Sequence, residues 1–345
     1  MELVLPAIVN PHSHLREGSV MKPLVELALK GGVDTVLPMP NTLQGLLRAK
    51  EVQAYIQALG QCVPNGQTLT FLPCIMLTER TTVSEIHECI KHGIFDAKIY
   101  PRGRTVHSSN GVRCYEHILN IVRCAGRLGM RCHFHPEHPS MTVPDEDAEY
   151  QFFPICDMFL NETEGVIIWE HGTDARCIPF WEEMAKSGRF YVTLTAHHLA
   201  TNKDDTFGDV RAVCKPPIKT RRDQKDLLRL VADNYDWVMA GADDAPHPLN
   251  AKFVHQGKCA CGAYTAPLLA ALYAHALDDL LTSGREEIFK RFTSENARRA
   301  FNLPPASRTY TLRREPCQVP TSYEADSWTI GPFWAGENLK WTIVA

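Results

Sequence analysis

No apolar stretch in the 345-residue chain approaches the roughly 20 residues that a membrane-spanning helix needs. The N-terminus also lacks the basic flank, apolar core and cleavage site of a secretory leader, so a soluble, cytoplasmic protein is expected. Charge of one sign is scarce too. Lys and Arg number 36 against 40 Asp and Glu, a formal net charge of -4, and the one notable basic cluster is Lys219-Thr220-Arg221-Arg222, which reads as a solvated helix start. That balance argues against nucleic acid and acidic membranes as partners. No Gly-x-Gly-x-x-Gly turn follows any apolar run, which counts against a dinucleotide fold. The twelve cysteines form no disulfide framework, and contexts such as Pro73-Cys74-Ile75 and Val213-Cys214-Lys215 suit free thiols in a reducing compartment. Cys259-Ala260-Cys261, with only His255 nearby and no second cysteine pair, is a weak zinc motif.

What the chain does have is alternation. Eight short β-rich apolar runs, at 3–9, 35–39, 69–76, 95–100, 131–135, 166–170, 190–196 and 237–240, are separated by segments of helical period. The helical segments include 21–30, 49–59, 83–92, 115–128, 174–187 and 223–233, with a last one near 263–281. Eight strands alternating with helices predict an α/β fold, a TIM-type (β/α)8 barrel of the metal-dependent hydrolase kind. One barrel domain over 1–345 is expected, with an irregular, Pro-rich C-terminal extension from about 303 packed against it.

In such a barrel the chemistry sits where strands run into their following loops. Polar groups recur there. His12 and His14, at i and i+2 on an extended strand, project the same way, and Arg16 continues that face. Asn41 follows the second run, Lys98 lies in the fourth, and His133-Phe134-His135-Pro136-Glu137 closes the fifth. Trp169-Glu170-His171 closes the sixth, and Asp243-Asp244-Ala245-Pro246-His247 follows the eighth. Any one has an ordinary counterpart: a satisfied core histidine, a snorkelling lysine, an N-cap aspartate. Together they offer four imidazoles and a carboxylate, a donor set suited to zinc, beside a lysine that would be costly to bury unless modified or paired.

The order His-x-His, Lys, His, His, Asp on the first, fourth, fifth, sixth and eighth runs resembles the amidohydrolase superfamily. Within it, the segments resemble the dihydroorotase family of single-function, homodimeric type. The resemblance covers nearly the whole chain and is carried by His12-Ser13-His14-Leu15-Arg16-Glu17-Gly18, Met39-Pro40-Asn41, Ala97-Lys98-Ile99-Tyr100-Pro101, Thr195-Ala196-His197-His198-Leu199, Asp244-Ala245-Pro246-His247-Pro248 and Pro332-Phe333-Trp334-Ala335-Gly336-Glu337. It implies two zinc ions per subunit, bridged by a carbamylated Lys98 and a hydroxide, with His12, His14 and Asp243 completing one site and His135 and His171 the other. It implies Asp243 as the proton shuttle, and Arg16, Asn41 and His247 as the group that holds a substrate carboxylate, with Thr105 and Cys261 bordering the substrate. The implied reaction is the reversible interconversion of N-carbamoyl-L-aspartate and L-dihydroorotate in pyrimidine biosynthesis, by a cytoplasmic homodimer. His135 is favoured over His133 as the ligand, because His133 falls where the family has an apolar strand residue. His197 and His198 are expected to shape the pocket or the fold and not to act as ligands.

Three positions depart from the family. Val106 stands where a second flap threonine is usual, which removes a donor worth roughly 1.5 to 3 kcal/mol to a charged ligand, with Arg102, Arg104 or His107 as candidate replacements. Asp244 stands in place of serine, and Cys261 in place of alanine. Two rival readings remain. A hydantoinase or allantoinase would share the metal set, but His12 lies too near the N-terminus for the β-sandwich those enzymes carry. A non-catalytic barrel scaffold would have lost ligands, and all six are present.

Overall fold

The computed structural model describes residues 1–253 and 259–344. The strands in chain order are β1 (Glu2–Pro6), β2 (Ile8–Ser13), β3 (Val33–Pro38), β4 (Thr70–Phe71), β5 (Cys74–Leu77), β6 (Asp96–Ile99), β7 (Arg131–Phe134), β8 (Ile167–Trp169), β9 (Phe190–Leu194), β10 (Val238–Ala240) and β11 (Thr309–Arg313). β2, β3 and β4 pair in parallel, as do β5 to β10 in order. Two seams close this into a TIM barrel. β4 runs into β5 through Leu72 and Pro73, and β10 meets β2 through the Ser13–Asp244 bridge, where the His14 amide donates to the Asp244 carbonyl at 2.8 Å.

The first apolar run, expected as one strand over 3–9, is two. Glu2–Pro6 leaves the barrel to pair antiparallel with β11, and the barrel strand starts at Ile8 and runs to Ser13. Val9 faces the barrel interior, so strict alternation would aim His12 outward; the pairing of β2 with β3 shifts register between Asn10 and Ser13, and His12 is turned inward there, onto Glu170. The extension from 303, expected to be irregular, carries β11 and the strand Thr342–Val344 that pairs with it. The expected helix near 263–281 is broken into a 3-10 turn at Ala266–Leu268 and helices Leu269–Ala276 and Asp278–Thr282. Helix Met21–Lys30 matches its reading residue for residue.

Outward-facing strand residues such as Ile99, Cys132, Phe134, Val192 and Leu194 pack into the main core beneath the helices. The barrel interior is divided. One part is apolar, from Val9, Leu37, Met39, Cys74, Ile168 and Met239, and its floor is Ala297, Ala300 and Phe301 from helix Asn296–Ala300 and the residue after it. The other part is ionic: Asp96, Lys98, Arg131, His133 and Glu170 are buried. Buried charges persist only when paired, so this half of the barrel is committed to a network. No helix among the described residues is long and apolar enough to cross a membrane. All twelve cysteines are free, and the zinc reading of Cys259 and Cys261 leaned on His255, which lies outside the described residues.

Candidate active site

At the C-terminal ends of the strands His12, His14 and Asp243 converge. His12 Nε2 lies 3.0 Å and His14 Nε2 3.3 Å from the same carboxylate oxygen, Asp243 Oδ1. His171 packs beside them with its ring centroid 5.2 Å from that of His12 and 4.6 Å from that of His135. Strand alternation alone does not produce this. Ile168 in β8 and Glu170 just after it face inward, so His171 should face out, and Asp243 lies past the end of β10. Both are turned by left-handed backbone, φ +42° at His171 and +48° at Asp243, and Arg16 (φ +56°) and His107 (φ +53°) share that conformation. Non-glycine residues held there cost free energy, and they cluster at sites where side-chain aim matters.

The electrostatics favour the protonation states a metal requires. Burial keeps His12 and His171 below the usual imidazole range and takes His14 to about 3, so all are neutral donors at pH 7. Burial, the largest influence, would raise the Asp243 carboxyl, but His12, His14 and His171 outweigh it and hold it well below the carboxylate range. The Lys98 ammonium is lowered to about 7 by burial; it contacts the Glu170 carboxylate and stands 5.0 Å from the Tyr100 ring centroid. His171 has both ring nitrogens buried without a partner. Such an orphaned group costs roughly 1 to 3 kcal/mol, and a metal ligand is the ordinary reason to keep one. His135 Nε2 is held by Glu137 Oε2 at 2.6 Å, which leaves Nδ1 as its remaining nitrogen. Two groups of potential ligand atoms lie close enough for one ion each: His12, His14 and Asp243, and His12, Glu170 and His171. The residues thus fit a metal centre.

Above this floor lies an inner pocket lined by Arg16, Asn41, Thr105, Val106, Lys215 and Cys261, opening into an outer cavity of about 250 Å³ bordered by Arg16, Asn41, His107 and His247. Arg16 Nε donates to the Pro246 carbonyl at 2.9 Å, and Nη2 lies 3.2 Å from His247 Nε2. The Arg16 guanidinium is lowered to about 10 by burial and stays cationic at neutral pH. The segment 101–112 is folded over the site, with Asn41 Nδ2 donating to the Val106 carbonyl at 2.9 Å. Of the three candidates to replace the missing flap donor, two are committed elsewhere. Arg104 binds the carbonyls of His138, Ser140 and Val143 and the Asp145 carboxylate, and Arg102 binds the Gly111 carbonyl and faces Glu79. His107 alone borders the cavity. Asp244 turns away from it, to Asn10 Nδ2 at 3.1 Å and the Thr265 amide at 3.1 Å, and burial raises its carboxyl to about 6.

Sequence reasoning passed over the supports. Glu170 Oε2 lies 3.0 Å from His12 Nδ1, and its Oε1 lies 2.9 Å from His133 Nδ1. His133 Nε2 lies 2.9 Å from Asp96 Oδ1, and Asp96 is gripped by Arg131 through two 2.7 Å bonds. An acidic residue next to a strand-end histidine was the available signal, but adjacency in sequence does not say which face it takes.

A parallel eight-stranded barrel with this donor set at its strand ends is a metal-dependent hydrolase of the amidohydrolase kind. No family model matches the chain. A dihydroorotase from Acidovorax sp. strain JS42 is 30% identical over 344 residues, covering 97% of this chain and 95% of its own. A probable dihydroorotase from Schizosaccharomyces pombe is 29% identical over 350 residues, 99% of this chain and 98% of its own. The crystal structure of Saccharomyces cerevisiae dihydroorotase in complex with 5-fluoroorotic acid superposes with a TM-score of 0.92 at 26% identity, covering 99% of this chain and 98% of that one. An L-hydantoinase from Arthrobacter aurescens, at 14% identity and a TM-score of 0.82, shares the fold. The chain belongs to the dihydroorotase family, hydrolases acting on cyclic amides.

Proposed function

We propose that the protein interconverts N-carbamoyl-L-aspartate and L-dihydroorotate in de novo pyrimidine (UMP) biosynthesis, as a cytoplasmic homodimer. His12, His14 and Asp243 would hold one zinc ion and His135 and His171 the other, with a carbamylated Lys98 serving both. The observation that carries the reading is the convergence of His12 and His14 on Asp243 Oδ1 at the floor of a pocket walled by Arg16. When bound, the metal pair supplies Lewis acidity and a water activated at neutral pH.

The chain's own groups do the rest. Arg16 is fixed through Nε and Nη2, so its remaining N–H bonds offer a charged, oriented anchor for the exocyclic carboxylate of the substrate. Asn41 and His107 close the pocket from the flap side and exclude water: Asn41 Nδ2 donates to the Val106 carbonyl at 2.9 Å and His107 Nδ1 donates to the Asn41 carbonyl at 3.2 Å. In ring opening the water oxygen bonds to the ring carbonyl carbon and the carbon–nitrogen bond breaks. Asp243 Oδ1 takes the water proton and returns it to the departing nitrogen, and the closing reaction reverses each transfer.

The test is turnover of purified, zinc-supplied protein with L-dihydroorotate and with N-carbamoyl-L-aspartate, alongside hydantoin and allantoin, with metal stoichiometry and light scattering on the same sample. Turnover in both directions with two zinc ions per chain is expected. Metal content without turnover of either dihydroorotate or carbamoyl aspartate would overturn the substrate assignment, and a monomer would overturn the dimer.

A further inference from the structure

Two histidines among the described residues are fully buried with both ring nitrogens unpartnered. His171 belongs to the catalytic floor. His197 does not. It sits in helix Ala196–Ala200, which follows β9, with its ring centroid 4.3 Å from that of His198. His198 Nε2 lies 3.6 Å from Cys214 Sγ, the spacing of two ligands on one tetrahedral ion, and one donor atom from each of His197, His198 and Cys214 falls within 4.8 Å of the others. All three side chains are buried.

We propose that His197, His198 and Cys214 form a separate mononuclear site for a thiophilic divalent metal, zinc in the cell, distinct from the catalytic pair. The donor set is two neutral imidazoles and one thiol, a combination that selects such ions over magnesium or calcium. Burial holds both imidazoles in the neutral form that ligates, with His197 lowered to about 4. In the structure as it stands His198 Nε2 and Cys214 Sγ both approach the Pro216 carbonyl oxygen at 3.2 Å. On binding, the Cys214 sulfur–hydrogen bond is exchanged for a sulfur–metal bond and its proton leaves to solvent. The His198 proton moves to Nδ1, where Thr195 Oγ1, 2.7 Å away, accepts it and fixes the ring. His197, without any partner now, gains one.

The site has a position that gives it a role. Lys215, next to Cys214, lines the inner pocket, and the Val213 carbonyl accepts from the Gly262 amide at 2.8 Å. An ion at Cys214 would tie this pocket wall to the helix after β9, so its effect is on the rigidity of the wall and not on the chemical step.

The experiment strips the full-length protein with chelator and reloads it with cobalt(II). The catalytic donor set contains no sulfur, so a thiolate-to-cobalt charge-transfer band in the near ultraviolet that depends on Cys214, and not on Cys259 or Cys261, reports this site. The wild type should show the band and bind one metal equivalent more than Cys214→Ser, which should lose the band and keep zinc-supported turnover. His197→Gln leaves the thiol in place and should also lose the band, which guards against a Cys214 variant that misfolds. A wild type without the band, or a band undiminished in both variants, overturns the proposal. Because the readout is spectroscopic, its failure leaves the hydrolase reading standing, and loss of turnover with an intact band leaves this site standing.

Discussion

The aim of the site is set by single torsions. Arg16 and Asp243 reach the pocket, and His171 the buried floor beside His12 and His135, because each adopts a left-handed backbone, and no periodicity in the sequence reports that. The residue types were legible because six chemically costly side chains fall in order at strand ends; the orientation of Glu170 was not, since a carboxylate beside His171 looks the same whether it faces the barrel or a helix. Arg16→Met should lower kcat/KM for dihydroorotate by roughly 10- to 100-fold, the worth of a lost charge-assisted bond, while metal content stays at wild type. Equal kinetics in the two proteins would show that the carboxylate is anchored elsewhere. His133 tests the support beneath the metal. It links Glu170, which fixes His12, to the Asp96–Arg131 pair, so His133→Leu should leave the fold intact and weaken zinc binding by about 10- to 100-fold. Chelator competition measures this directly, and unchanged affinity would reduce His133 to a buried ion-pair partner.

At the scale of elements, the barrel strands were legible where the apolar run and the strand share a boundary, as in β7 and β9, and illegible where one run serves two sheets. Residues 3–9 are apolar throughout, and apolarity fits the outer sheet with β11 as well as it fits the barrel. The third run is interrupted at Pro73, whose ring removes a ladder donor, between β4 and β5. The tail was the least legible, because its strands are short and its pairing with β1 spans nearly the whole chain. Besides its strand pairing, this tail is tied down by one side chain. Asp278 accepts from Arg314 through two 3.1 Å bonds, from Lys340 Nζ at 3.0 Å and from Trp341 Nε1 at 2.8 Å. These partners, Arg314 foremost, hold its carboxyl below the usual aspartate value. A carboxyl with a depressed folded-state value contributes stability above its unfolded value, near 4, and loses it as pH falls through the lower folded one. Asp278→Asn should therefore lower the melting temperature at pH 7, and the gap to wild type should narrow as both are acidified below about pH 4. A gap that stays constant with pH would mean that packing of Trp341, and not the charge, secures the tail.

For the whole molecule, the proposed ligands come from five strands spread around the barrel, β2, β6, β7, β8 and β10, so metal binding acts as a cross-link as well as a chemical centre. The joint between β2 and β10 has no full ladder: the Ser13–Asp244 bridge with one 2.8 Å backbone hydrogen bond, and the Asn10 side chain bonded to the Ala242 amide at 3.0 Å and to Asp244 at 3.1 Å, stand in for one. His14 and Asp243 flank that joint on opposite strands and point at each other across it. Without a cation the pocket floor holds neutral imidazoles, one orphaned histidine and a buried carboxylate, and the joint is held by its single backbone bond and the two Asn10 side-chain bonds. An ion present at a hundredfold its Kd stabilises the native state by about 2.7 kcal/mol, and the gain should be concentrated where the ligands bridge the gap. Chelation should lower the melting temperature, zinc should restore it in a concentration-dependent way, and amide hydrogen exchange should rise in Ile8–Ser13 and Val238–Ala240 well before it rises in Arg131–Phe134 or Phe190–Leu194. Lys98→Ala, which removes one ligand but leaves His12, His14 and Asp243, should keep part of the protection at the joint while losing turnover. Exchange that rises evenly around all eight barrel positions on chelation would show that the sheet closes without help from the metal, and that the cost of assembling this floor is carried by the ionic network of Asp96, Arg131, His133 and Glu170 alone.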